Sequence, residues 1–263
     1  MSDPLDPIQY LAASKNRVQV LEYLRDSLAD REELSEQLGI SRSTLSRVIT
    51  GLDERDWISQ HGPACQITPV GAFLADEFRS LIEAAETMQK LEDVIDYLPM
   101  DEIDFELHRL RDASITTPTE TDPEASIRRA REVIRESGEM HFLTNTVVSS
   151  LAETLREQSI EGELTIVAVI TEELLKSLSD SPEFGKLTRE MIESGNAEFY
   201  CYDGTVSPTL AVADGTTALI TQIERDGRQR AQIETDDPQV CSWVTSTIET
   251  YRRKSEPISV GTL

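Results

Sequence analysis

Apolar residues recur every three or four positions through most of the first hundred residues, and only later does the spacing shorten to that of strands. Val18, Leu21, Leu24 and Leu28 predict a helix over residues 15–28. Asp30 is a natural N-cap with Glu33 three residues on, and Leu34 and Leu38 then give a second short helix an apolar stripe. Gly39 breaks it, Ile40 fills the turn and Ser41 can cap a third helix. In that helix Leu45, Val48, Ile49 and Leu52 point inward. Residues 57–59 and 65–68 read as two strands around the turn chemistry of His61, Gly62 and Pro63, a small hairpin. From Gly71 to Leu98 the pattern is helical without interruption, which predicts a rod roughly 40 Å long. Leu74, Leu81, Met88 and Ile95 recur by sevens, with Phe78 and Ala85 as companions until Glu92 breaks the second seam. Such a helix either pairs with a second copy or packs on its own chain.

Pro99 ends that helix, and residues 101–122, closing in TTPTETDP, look like a domain junction. Helices are predicted over 126–137, 147–158, 172–178, 184–194 and 238–253. Strands are predicted over 140–143, 164–170, 199–202, 210–213, 218–223 and 230–234; the run LTIVAVI is continuous and β-branched, as buried parallel strands are. The fold class is therefore α+β or α/β: an N-terminal winged helix-turn-helix, a long connecting helix and a C-terminal α/β domain with a mixed sheet. The expected segments are 1–70, 71–98, 99–122 as junction, and 123–263.

The face of the third helix opposite its apolar side consists of Arg42, Ser43, Ser46, Arg47 and Thr50, with Thr44 beside them and no carboxylate among them. Short hydroxyls and guanidiniums are what can approach phosphate and base edges. A bare solvated face is the plain alternative. Helix, helix, polar-faced helix and hairpin, in that order, resemble the winged helix-turn-helix of bacterial and archaeal transcription regulators, which implies double-stranded DNA as partner. His61 in the short wing would touch the backbone or minor groove.

Charge complicates this picture. The 263 residues carry 49 acidic against 25 basic side chains, a formal net charge of -24. Residues 1–70 are the least acidic part, with 11 acids against 7 bases. Only Lys15, Lys90, Lys176, Lys186 and Lys254 are lysines. A lysine-poor, acid-rich composition resembles that of proteins from extreme halophiles, the haloarchaea in particular. At 1 M salt the Debye length is only ~3 Å, so distant carboxylates barely repel DNA and short-range contacts decide binding. Cys65, Cys201 and Cys241 are isolated, which argues against a disulfide framework or a zinc site and fits a reducing, cytoplasmic setting. No apolar run approaches the ~18 residues that cross a bilayer, so no membrane partner is expected.

The segments LTIVAVITEELLKSL, LTREMIESGNAEFYCYDG, LAVADGTTALI and IETDDPQVCSWVTSTIETYRR resemble the effector domain of archaeal winged-helix regulators of the type first named for a methanogenesis regulator and abundant in haloarchaea. With the N-terminal part, the resemblance covers residues 8–254. It implies a dimeric transcription regulator whose C-terminal domain is distantly similar to the phospholipase-D-like fold and senses a metabolite. That fold raises the question of catalysis, which would need a His with a Lys two residues on. His61, His108 and His141 are followed at that distance by Pro63, Leu110 and Leu143, so no catalytic residues, cofactor or metal are expected. Candidate effector contacts sit where strands give way to helices or turns: Thr144, Asn145, Thr146, Thr171, Tyr202 and Asp203. A small anionic metabolite is the ligand such helix starts would suit. Ordinary N-caps and a turn explain the same residues locally. The competing reading for the whole chain is a winged-helix module for protein contacts within the transcription machinery, without direct DNA binding.

Overall fold

The computed structural model describes residues 3–223 and 229–262, and the chain divides into two compact units, Met1–Glu86 and Thr87–Leu263. In the first, helices α1 (Leu5–Ala12) and α2 (Lys15–Asp26) precede a short strand β1 (Ala29–Asp30), then α3 (Arg31–Leu38) and α4 (Arg42–Asp53). A hairpin of β2 (Ile58–His61) and β3 (Ala64–Ile67) follows, and α5 (Pro69–Leu91) begins directly after it. The three strands form one antiparallel sheet in the order β1-β3-β2. Leu21, Leu24, Leu34, Leu45, Ile49 and Leu52 are all at most 2% exposed, so the apolar stripes of α2, α3 and α4 meet in a single core. The unit is a winged helix-turn-helix, with the hairpin as the wing.

Helix α1 and strand β1 were absent from the expected elements. Leu5, Ile8 and Leu11 have helical spacing but only Leu11 is buried, which weakens the signal, and two residues are too few to show alternation.

The long helix is shorter than its pattern predicts. It stops at Leu91, and Ile95–Tyr97 form a separate 3-10 turn. Glu92, Asp93 and Asp96 place negative charge where a helix C-terminus already carries it. Leu91, Val94 and Leu98 are nevertheless all buried in the second unit's core. The heptad seam is split as well. Leu74 and Phe78 pack into the winged-helix core, whereas Leu81 and Met88 are 52% and 63% exposed and Ile95 lies beyond the helix.

The second unit is built on an eight-stranded mixed sheet. Its elements are β4 (Ser114–Thr116), α6 (Ala125–Glu136), β5 (Glu139–Thr144), α7 (Ser149–Glu161), β6 (Thr165–Thr171), α8 (Glu172–Asp180) and α9 (Pro182–Glu193). They are followed by β7 (Ala197–Tyr202), β8 (Thr209–Ala213), β9 (Thr217–Ile223), β10 (Gln229–Thr235), α10 (Pro238–Arg253) and β11 (Glu256–Pro257). Strand order is β11-β7-β6-β5-β8-β9-β10-β4; β5, β6 and β7 run parallel and the remaining pairings are antiparallel. One face packs on α10 through Trp243, Val244 and Ile248, and the other is covered by α6, α7, α8 and α9.

The expected junction turns out to belong to the fold. Phe105 and Leu110 are buried, Phe105 meets Trp243 edge-on at 5.3 Å, and the Trp243 indole donates to the Glu102 carbonyl at 2.9 Å. Residues 114–116 then add the edge strand β4. Scattered acids around isolated apolar residues gave this stretch the look of a linker.

Candidate nucleic-acid interface

The turn between α3 and α4 follows from three side chains. The Asp30 carboxylate accepts from the backbone N–H groups of Glu32 and Glu33, both at 2.9 Å, and so starts α3. Gly39 takes φ +63°, the left-handed conformation that a glycine enters without strain, and reverses the chain. Ser41 then accepts from the Thr44 N–H at 3.3 Å and caps α4.

Leu45, Val48, Ile49 and Leu52 are buried beneath α4. At 100° per residue Arg42, Ser43, Ser46, Arg47 and Thr50 fall within about 140° of arc on the other side. All of them are exposed except Ser46, which is half-buried. Thr44 departs from this group: it is half-buried at the flank of the helix, and its hydroxyl accepts from Ser41 at 3.0 Å as part of the cap.

The two arginines differ in availability. Arg42 pairs with Glu32 at 3.0 Å, both side chains well exposed, so a phosphate would have to displace a carboxylate; surface pairs of this kind are worth only ~0–1 kcal/mol. Arg47 has no hydrogen-bond or ion-pair partner among the described residues, which leaves its guanidinium free for a ligand.

His61 is exposed at the end of β2, opposite Ala64. Beside it, Gln60 donates to Asp53 of α4 at 3.0 Å and accepts from Arg31 of α3 at 2.6 Å. The wing is therefore held to both helices of the motif through one amide. Sequence reasoning passed over Gln60 and Arg31, because the strand pattern marks Gln60 as merely solvent-facing. It also passed over Tyr10, against whose ring the guanidiniums of Arg17 and Arg55 lie at 3.8 and 3.6 Å.

In the second unit the six expected effector residues lie at or just after the carboxyl ends of the adjacent strands β5, β6 and β7, and only two of them line a cavity. Thr144 and Thr146 line a partly open cavity between the sheet and α6–α9. The Asn145 amide donates to the Val206 carbonyl at 2.8 Å. Thr171 is buried and accepts from the Leu174 N–H at 3.3 Å as the N-cap of α8. Tyr202 stacks edge-on against Tyr251 at 4.8 Å, and Asp203 is exposed in the turn after β7. The α7 helix starts after Val148 with no side-chain cap.

Burial pushes the thiols of Cys65 and Cys241 up from their ordinary range, which keeps them protonated and unreactive. Among the described residues there is no group of His, Cys, Asp and Glu able to hold a metal ion, and no helix long and apolar enough to cross a membrane.

Comparison with known proteins places both halves. The model of the middle domain of the methanogenesis regulatory protein FilR1 matches residues 123–254, half of the chain. The chain belongs to the FilR1 middle-domain family. Residues 5–90 match the model of the HVO_A0261 N-terminal domain, so a FilR1-type domain here follows a second recognised module. A search of curated proteins found no match.

Among solved structures, TrmBL2, described as an archaeal chromatin protein with a novel mode of DNA binding, aligns at 13% identity and TM-score 0.44 over 97% of this chain and 100% of that one. Nuc from Salmonella typhimurium, a phospholipase D family member, aligns at 8% identity and TM-score 0.46, over 56% of this chain and 99% of that one.

Proposed function

We propose that this protein is a sequence-specific DNA-binding transcription regulator that acts as a homodimer on an inverted repeat and is modulated by a small molecule bound in its C-terminal domain. One observation carries the reading: a winged helix-turn-helix whose helix α4 turns five polar side chains outward from a buried underside, with the Arg47 guanidinium unengaged among the described residues. Arg47 and Arg42 are assigned to phosphate or guanine, Ser43, Ser46 and Thr50 to closer contacts, Thr44 to the phosphate nearest the helix start, and His61 to the backbone beside the wing. Membership of a regulator-type family supports the non-catalytic reading.

Net charge of -24 fits a cytoplasm of high salt, where screening leaves the contacts of α4 to decide affinity. Selection from a random-sequence DNA pool in molar KCl should enrich a two-fold repeat with half-sites about 34 Å apart. A winged-helix module reserved for protein contacts would enrich no sequence.

The homodimer is supported by the outer face of α5. Val70, Phe73 and Leu81 are 60%, 67% and 52% exposed and lie within about 80° of arc. Apolar side chains aligned in this way mark an association surface. Leu81→Glu should therefore convert dimer to monomer in light scattering, since an unpaired charge buried at the seam costs about 3 kcal/mol, over a hundredfold in dissociation constant. A variant that stays dimeric would remove α5 from the interface.

A further inference from the structure

The second unit contains a cavity of about 150 Å³ between the sheet and helices α6–α9. Among the described residues its lining is apolar apart from five threonines and Gln232, and includes no charged side chain. An apolar space of ~150 Å³ has the capacity of a benzene-sized guest.

Gln232 stands out within it. The residue is 1% exposed, in the middle of β10, and neither its amide nitrogen nor its amide oxygen has a hydrogen-bond partner among the described residues. A buried amide left without partners costs stability, so a fold that keeps one next to a cavity retains it for something that enters. Its neighbours extend the polarity in a line: Gln232 is directly opposite Thr221 on β9, Thr221 is opposite Thr209 on β8, and the Thr209 hydroxyl is 3.0 Å from that of Thr144. Thr144 is the last residue of β5, where the sheet changes from parallel to antiparallel pairing. Ligands of open α/β sheets gather at the carboxyl end of strands beside such a change.

We infer that this cavity is the effector site, and that the effector is an uncharged, mainly apolar metabolite of about benzene's bulk bearing a carbonyl beside an N–H or O–H, paired with both ends of the Gln232 amide. The inference rests on the reading of the C-terminal domain as the sensing half. Among the described residues no cation on these walls would meet an anion, so the ligand differs in charge from the one that helix starts suggest. Gln232 acts by direct contact, and Thr221 and Thr209 extend the polar row.

The test is thermal unfolding of the full chain in molar KCl with benzamide, benzoate and toluene as probes. Benzamide should raise the wild-type midpoint while benzoate leaves it unchanged. In Gln232→Leu the ligand-free midpoint should rise by roughly 2–4 °C, because the unpaired amide is gone, and the benzamide shift should fall at least tenfold while toluene gains one. Gln232→Met, unbranched and of similar length, serves if the leucine variant does not fold. A benzamide shift absent from the wild type, or retained in both variants, would overturn the assignment. No DNA is present, so that failure would leave the DNA-binding reading standing, whereas loss of sequence selection with an intact benzamide response would overturn that reading alone.

Discussion

Arg47→Ala should weaken operator binding about a thousandfold while leaving the melting curve of the protein unchanged. A guanidinium on base edges or phosphate contributes ~1–3 kcal/mol per half-site, and a dimer uses two, so about 4 kcal/mol is lost. The side chain is exposed and has no partner among the described residues, so nothing in the fold depends on it, and surface changes of this kind stay within ~0.5 kcal/mol of stability. Arg42→Ala should cost much less, nearer tenfold, because the Glu32 carboxylate already competes for that guanidinium at 3.0 Å. Gel-shift titrations of both variants in molar KCl, beside circular dichroism melts, give the ranking. Equal losses would show that the Glu32 pair opens freely on DNA, and an unchanged Arg47→Ala affinity would take the residue out of the interface.

Gly71→Ala should be the most damaging small substitution in the N-terminal unit. A Cβ at this position would come within 1.9 Å of the Trp57 carbonyl oxygen and 2.7 Å of its carbonyl carbon. Both are backbone atoms and cannot swing aside as a long side chain would. The same carbonyl accepts from the Thr68 N–H at 3.0 Å, and the Thr68 hydroxyl accepts from the Gly71 N–H at 3.0 Å. Hairpin and α5 are thus locked at one point, and a methyl there must pry them apart. Overpacking of this kind costs ~3 kcal/mol or more, and for a unit of this size that lowers the unfolding midpoint by roughly 12–24 °C. Calorimetry of the full chain reads the effect directly, and a midpoint within a few degrees of wild type would show that the close approach relaxes at little cost.

The winged helix-turn-helix was legible because each of its signals is local. A carboxylate cap at Asp30, a glycine in the left-handed region at Gly39, a hydroxyl cap at Ser41 and a four-residue apolar underside all lie within a few residues of what they organise. The sheet of the second unit was legible for a related reason, since strands buried on both faces read as continuous apolar runs, as β6 does.

The rest depended on contacts far apart in sequence. No Gly or Pro marks the end of α5 at Leu91, and β4 exists only because β10 offers it an edge. Gln232 is the clearest case. A polar residue between Ala231 and Ile233 reads as the solvent-facing position of a strand, and only the helices covering that face turn it into a buried, unpartnered amide. The helix starts, by contrast, were conspicuous in sequence for reasons as local as the capping bond of Thr171.

The central claim is that the outer face of α4 meets a duplex. A photo-crosslinking amino acid placed at Ser46 in this 263-residue chain, with the exposed Thr250 of α10 as control position, tests it in a single irradiation with genomic DNA fragments in molar KCl. The account predicts covalent DNA adducts from position 46 and none from position 250. Adducts from position 250 alone, or from neither position, would contradict it.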